Sequence, residues 1–288
     1  MIRFSKWIWL YALISFVVIV SGLISILRYG FKYSIDFTGG TDITYSLSKN
    51  PGLDQVKNVF KENKIDVVNL KISQKVLEAR TKPIDEKQEL QLRNNLEKKL
   101  SLSIKSLRFD TVGPVLGKET LQKTLIASIL ATLGILLYMS FAFKGLNFAF
   151  AAILAMIHDF FVVIGTYSLL SYFFGAEVDT MFVTAVLTTM SFSVHDTIVI
   201  FDKIREYIKS EGKGNIEYLA DKAVTETMVR SVNNSMTIVF MLLALTLLGG
   251  STIRFFVAAL LIGTITGTYS SPFIATPILI WLEKRKNK

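Results

Sequence analysis

Six stretches of this chain are long and apolar enough to cross a bilayer, and they decide what it can fold into. They are Trp7–Leu27, Thr124–Phe143, Leu146–Leu170, Met181–Phe201, Val232–Leu248 and Phe255–Leu282. A helix needs about 20 mostly apolar residues to span the hydrocarbon core, where every backbone polar group must be satisfied internally. The fifth stretch is short, and Pro272 and Pro277 interrupt the sixth. With 51% of its residues hydrophobic, the chain reads as a polytopic membrane protein, a membrane all-α six-helix bundle. The first stretch follows Arg3 and Lys6, but it is too long for a signal-peptide core and no A-x-A cleavage site follows it. It reads as a retained helix.

The formal net charge is +9, yet its placement argues against nucleic acid as a partner. Arg3, Lys6, Lys144, the six basic residues from Lys203 to Arg230, and the tail Lys284, Arg285, Lys286 and Lys288 fall on one side of a six-span arrangement. The short loops on the other side, Ser171–Thr180 and Gly249–Arg254, carry only Arg254. The positive-inside rule then places both termini in the cytoplasm. The basic excess of the long first loop suits a solvated face near anionic lipid headgroups. There is no cysteine, and each of the two histidines lies in a span. No disulfide, metal site or cofactor is expected.

Three regions follow: residues 1–27, the cytoplasmic N-terminus and first span; residues 28–123, an extracytoplasmic domain; and residues 124–288, the remaining spans with a cytoplasmic loop 202–230 and a basic tail. Within the second region Ile43–Leu47 alternates as a strand and Pro51-Gly52 makes a turn. Leu53, Val56, Val59 and Phe60 recur at helical spacing. Val67–Ile72 and Lys75–Thr81 read as two strands, and Ile104–Val112 as another. Asp85–Leu100 reads as a charged helix with Leu90, Leu92, Leu96 and Leu100 apolar, Leu92 lying off the main stripe. The order β-α-β-β-α-β is that of a ferredoxin-like α+β domain.

Two motifs bracket this domain: Asp36-Phe37-Thr38-Gly39-Gly40-Thr41 before it and Gly113-Pro114-Val115-Leu116-Gly117 after it. Glycines allow close backbone approach and proline restricts its own φ. Together they predict a stiff junction between domain and membrane.

Both histidines precede an aspartate inside an apolar span, His158-Asp159 and His195-Asp196. A membrane carboxylate costs about 2.5–3.5 kcal/mol on insertion scales, so it marks proton or ion movement or a polar helix contact. At helical spacing Thr189, Ser193, Asp196 and Lys203 share one face, and Arg230, Asn234 and Thr237 share another, with Asn233 beside them. Facing each other, these could hold water and protons between helices. Burial and a nearby guanidinium act on the Asp196 carboxylate in opposite senses, so its protonation would follow its neighbour. The alternative is a static polar clamp, since Asn, Ser and Thr are ordinary glue between membrane helices. Arg230 read alone is a snorkelling arginine at a span end. Asp202, Lys203, Arg205 and Glu206 suit a solvated helix end with internal ion pairs. In the last span Gly263, Gly267 and Ser271 recur every four residues, a small stripe for close packing within the bundle or against a partner.

The segment from Ser193 to Glu206, the run Arg230-Ser231-Val232-Asn233-Asn234-Ser235, and the two junction motifs together resemble the SecF family over essentially the whole chain. The family contributes the smaller membrane subunit to the SecD–SecF accessory complex of bacterial protein export, within the resistance–nodulation–division superfamily. The resemblance implies half of a pseudo-twofold twelve-span unit in the bacterial inner membrane, with SecD as the other half. It implies use of the proton-motive force to move preproteins through the SecYEG channel, with YajC and YidC as further partners and no enzymatic chemistry. It also implies a proton relay at Asp196 and Arg230, and His158-Asp159 looks like the family's third-span element. Where the family commonly has Asn, this chain has His195. Either the relay gains a titratable member, or the imidazole stays a neutral hydrogen-bond partner, the reading a membrane span favours. A small-molecule efflux half-transporter would carry larger extracytoplasmic loops. A non-transporting scaffold would use the polar residues only as interhelical glue.

Overall fold

The structure, a computed structural model, describes residues 4–143, 145–212 and 214–286; Arg3, Lys144, Lys213 and Lys288, used in the charge argument, lie outside the described residues. In chain order the elements are a 3-10 turn (Phe4–Trp7), α1 (Ile8–Tyr29), β1 (Lys32–Tyr33), α2 (Ile35–Thr38), β2 (Gly40–Leu47), α3 (Leu53–Glu62), β3 (Val67–Ser73) and β4 (Val76–Thr81). Then come α4 (Glu86–Leu100), β5 (Ile104–Val112), α5 (Pro114–Ala142), α6 (Leu146–Phe174), β6 (Glu177–Val178), α7 (Thr180–Glu211) and α8 (Ile216–Leu248). The chain closes with α9 (Ser251–Ser270), a π-helical turn (Ser271–Ala275) and α10 (Thr276–Lys286). Among the described residues 6 helical stretches are long and apolar enough to cross a membrane. Contacts divide the chain into two compact units, Tyr33–Ile126 and Met1–Lys32 with Ala127–Lys288.

In the Tyr33–Ile126 unit four strands form an antiparallel sheet in the order β3-β4-β2-β5. Alternate residues of a strand face opposite sides, and β2 buries Thr41, Ile43, Tyr45 and Leu47. These apolar residues share one core with Val56, Val59 and Phe60 of α3 and Leu92 and Leu96 of α4. The expected stripes need two corrections. Leu53 is exposed, and Leu92 is fully buried while Leu90 is 47% exposed. The buried face of α4 runs Glu89, Leu92, Leu96, at spacings of three and four. Its first position is polar because Tyr45 donates its hydroxyl to Glu89 Oε1 at 2.7 Å. The N-terminus of α4 is closed by a capping box, with Gln88 N donating to Asp85 Oδ1 at 2.7 Å and Asp85 N to Gln88 Oε1 at 3.0 Å.

The two glycine motifs interlock within this unit. Gly39 adopts φ +70°, and a Cβ there would lie 2.8 Å from Pro114 Cα. A Cβ on Gly117 would lie 2.8 Å from Gly39 N and 3.2 Å from the Phe37 carbonyl oxygen. Phe37 is buried and Asp36 half-buried. Gly113, by contrast, has open space where a side chain would go.

In the helical unit, small residues set where helices cross. A Cβ on Gly22 of α1 would lie 2.7 Å from Gly165 Cα of α6, and the reverse also holds. One turn on, the Ser25 and Ser168 hydroxyls bond at 2.9 Å. The π-helical turn contains Pro272, which has no N–H to continue an α-helical ladder.

Candidate functional site in the helical bundle

Asp159 of α6 lies in the interior of the bundle, 3% exposed. Its Oδ2 accepts from the Ser193 hydroxyl of α7 and from the Ser270 hydroxyl of α9, the latter at 2.6 Å. Its Oδ1 meets His158 Nδ1 at 2.8 Å. Three helices thus satisfy one carboxylate, which offsets the cost of placing it at membrane depth. His158 is buried too, and among the described residues its Nε2 has no hydrogen-bond partner.

The site is held by the register of α9 on α7. Gly263 lies against Thr189, where an added Cβ would come within 2.2 Å of its Cγ2, and Gly267 lies 3.1 Å by the same measure from Ser193 Cα. One turn further, the hydroxyls of Ser271 and Thr197 bond at 2.9 Å. The stripe Gly263, Gly267, Ser271 therefore packs inside this unit, each member opposite one of Thr189, Ser193 and Thr197. Close approach at the glycines brings Ser270 within reach of Asp159. Thr189 spends its hydroxyl on the Val186 carbonyl at 2.9 Å.

Asp196 belongs to a second, separate polar contact. It is half-buried, and its Oδ2 accepts from Ser231 of α8 at 2.8 Å. Next to it Thr268 donates to Ser235 at 2.7 Å, joining α9 to α8. The expected face of Thr189, Ser193, Asp196 and Lys203 is thus divided: the first two serve α6 and α9, Asp196 serves α8, and Lys203 pairs with Glu226 at 2.9 Å and with Glu206. The expected face of α8 is corrected as well. Arg230, Asn233, Asn234 and Thr237 are exposed in this chain, as is His195, whereas Ser231 and Ser235 point inward. Among the described residues Arg230 forms no ion pair with Asp196. Small hydroxyl residues let α8 approach α7 and α9.

Periodicity alone missed Ser270, Thr197 and Ser231. Each adjoins or lies one turn from a residue that the sequence singled out, but the rotation of a helix about its axis is set by its neighbours. Towards the ends of α7 and α8 the charged residues pair locally: Arg205 with Asp202, and Lys222 with Glu211.

Residues 91–285 match the family described as protein export membrane protein SecD/SecF, C-terminal, and residues 24–51 match the SecD/SecF GG motif. The protein translocase subunit SecF of Thermobaculum terrenum is 38% identical, over 99% of this chain and 95% of that protein. SecF of Anaerolinea thermophila is 36% identical, over 95% and 92%. The crystal structure of SecDF from Thermus thermophilus, a translocon-associated membrane protein, superposes with TM-score 0.83 at 30% identity. That match covers all of this chain but only 39% of the SecDF chain. Six apolar helices and these relatives identify a multi-pass membrane protein. The chain belongs to the SecD/SecF family of protein-export membrane proteins.

Proposed function

We propose that this chain is a proton-motive-force-coupled accessory subunit of the Sec translocase, assisting preprotein export with SecD and without enzymatic chemistry of its own. The observation that carries this reading is Asp159, a buried carboxylate that three helices hold through exchangeable hydroxyl contacts beside His158. Protonating such a carboxylate weakens its charge-assisted contacts to Ser193 and Ser270. That would loosen α7 and α9 from α6, so proton entry becomes helix movement. A proton crossing the membrane supplies about 2.3 kcal/mol per 100 mV. Asp196, with Ser231, forms a second exchange point, and Arg230 and His195 act with it.

The exposed polar face of α8 supports SecD as a partner. Arg230, Asn233, Asn234 and Thr237 turned towards lipid would be costly, so a second membrane protein covers them. The match to part of a longer SecDF chain supports the same pairing. SecYEG provides the channel that the preprotein crosses, YajC and YidC are further partners, and this chain lies in the bacterial inner membrane with both termini cytoplasmic. The Tyr33–Ile126 unit is extracytoplasmic by the positive-inside charge bias, and ferredoxin-like; its strand order and two helices support that fold.

The test is preprotein transport into sealed vesicles containing SecD and SecYEG, with and without a proton gradient. D159N should lose gradient stimulation while still co-purifying with SecD. Stimulation at the unsubstituted level would refute proton coupling at this site and leave a scaffold. Reporter fusions at Gly212 and Asn95 should report opposite sides of the membrane; the same side would refute the assigned topology.

A further inference from the structure

In the Tyr33–Ile126 unit, β3 pairs with β4 on one side and, among the described residues, with no strand on the other. Its outer N–H and C=O groups form an open edge. The pairing of β3 with β4 shifts register between Val67 and Asn69, which places Val68, 69% exposed, at an irregularity. Two concavities meet there. One, of about 570 Å³, is lined by Lys57, Lys61, Lys64 and Asp66 together with the start of β3. The other, of about 480 Å³, runs from Val68 past Arg80 to Gly39 and Pro114.

The charge of this surface is not self-compensated. Lys57 and Lys61 are one turn apart on α3, and Lys64 follows the helix; all three are exposed. None of them is in an ion pair among the described residues, whereas three of the acids nearby are taken. Asp66 holds Lys82 at 2.6 Å, Glu62 holds Lys99, and Asp42 holds Arg80 at 2.7 Å. On β3 itself Lys71 is exposed and lies across from Glu78 of β4, so the excess of positive charge rests on the three lysines. Two copies pairing through β3 would bring these basic surfaces together, and like charges in register repel. An acidic strand would meet complementary charge along the same edge.

We propose that β3 binds an extended, acidic polypeptide segment as an added strand, with Lys57, Lys61 and Lys64 taking its carboxylates and Val68 contacting an apolar residue beside them. An unfolded chain in transit offers such unpaired backbone, so the natural occupant rests on the export reading.

The experiment titrates the full-length protein, in phosphatidylcholine nanodiscs, with a short fluorescent peptide of alternating Glu and Val. Saturable binding, weakened about tenfold or more in K57E/K61E/K64E, supports the proposal. N-methylation of one alternate set of peptide amides should abolish binding and methylation of the other set should not, because only one set faces β3. Equal binding of a Lys/Val peptide, or tolerance of both methylated sets, overturns it. So does protection of the three lysines from acylation by phosphatidylglycerol nanodiscs and not by peptide, which would make the surface a lipid contact. No peptide binding by protein with intact gradient-driven export overturns this inference alone. Peptide binding by protein without such export overturns the export reading alone.

Discussion

Ser231, and not its neighbour Arg230, is the α8 side chain that meets Asp196, donating its hydroxyl to the carboxylate at 2.8 Å. The contact reaches α8 through a short hydroxyl side chain that sits inward while the guanidinium faces out. In the vesicle assay D196N should remove gradient stimulation, because asparagine keeps the hydrogen bond and cannot exchange the proton. S231A should retain part of it. R230K should retain most of it, since no ion pair with Asp196 depends on the planar fork. H195N should retain gradient stimulation, because asparagine replaces the imidazole with another neutral hydrogen-bonding side chain.

Asp159 should dominate the stability of the bundle. In D159A the hydroxyls of Ser193 and Ser270 and the imidazole of His158 lose their acceptor together. Unsatisfied buried donors cost about 1–3 kcal/mol each in soluble proteins, and interhelical hydrogen bonds within membranes average about 0.6 kcal/mol. A loss of about 2–3 kcal/mol is expected, read as a lowered midpoint of denaturant unfolding in detergent. D159N keeps an acceptor oxygen and should lose about half as much.

Helix crossing at Gly22 and Gly165 leaves no room for a methyl group. Either G22A or G165A should destabilise by about 1–3 kcal/mol, the usual range for overpacking. The double variant should cost less than the sum, because both act on one contact. G134A is the control: nothing lies within 4 Å of a Cβ at that position. Exchange there should be neutral or stabilising by up to about 1 kcal/mol through helix propensity.

Tyr45 makes the Tyr33–Ile126 unit sensitive to alkali. Burial first, then the hydrogen bond to Glu89, pushes its phenol well above the ordinary 10.0. Above about pH 10 the unfolded chain loses this proton while the folded one keeps it, so stability falls as pH rises further. Urea unfolding of a Tyr33–Val112 fragment, whose core residues lie between Ile43 and Ile104, should show that fall. In Y45F the fall should be smaller, at a cost of about 1.5–3 kcal/mol near neutral pH for a hydrogen bond to a charged acceptor.

Hydropathy and periodicity alone determined the six membrane helices, the separate domain and nearly every strand in it, because the length of an apolar run and the alternation of side chains are local properties of the chain. The glycine motifs were legible for the same reason: only close backbone approach calls for Gly39 and Gly117. Tertiary structure decided which polar residues meet. The sequence placed Asp196 opposite Arg230 by counting turns on each helix, but counting does not set how a helix is rotated against its neighbours. That rotation follows from packing, from Gly263 on Thr189 and Gly267 on Ser193, and it turns Ser270 and Ser193 onto Asp159 while leaving Arg230 outside. The buried centre at Asp159 is therefore a product of where small residues allow three helices to approach.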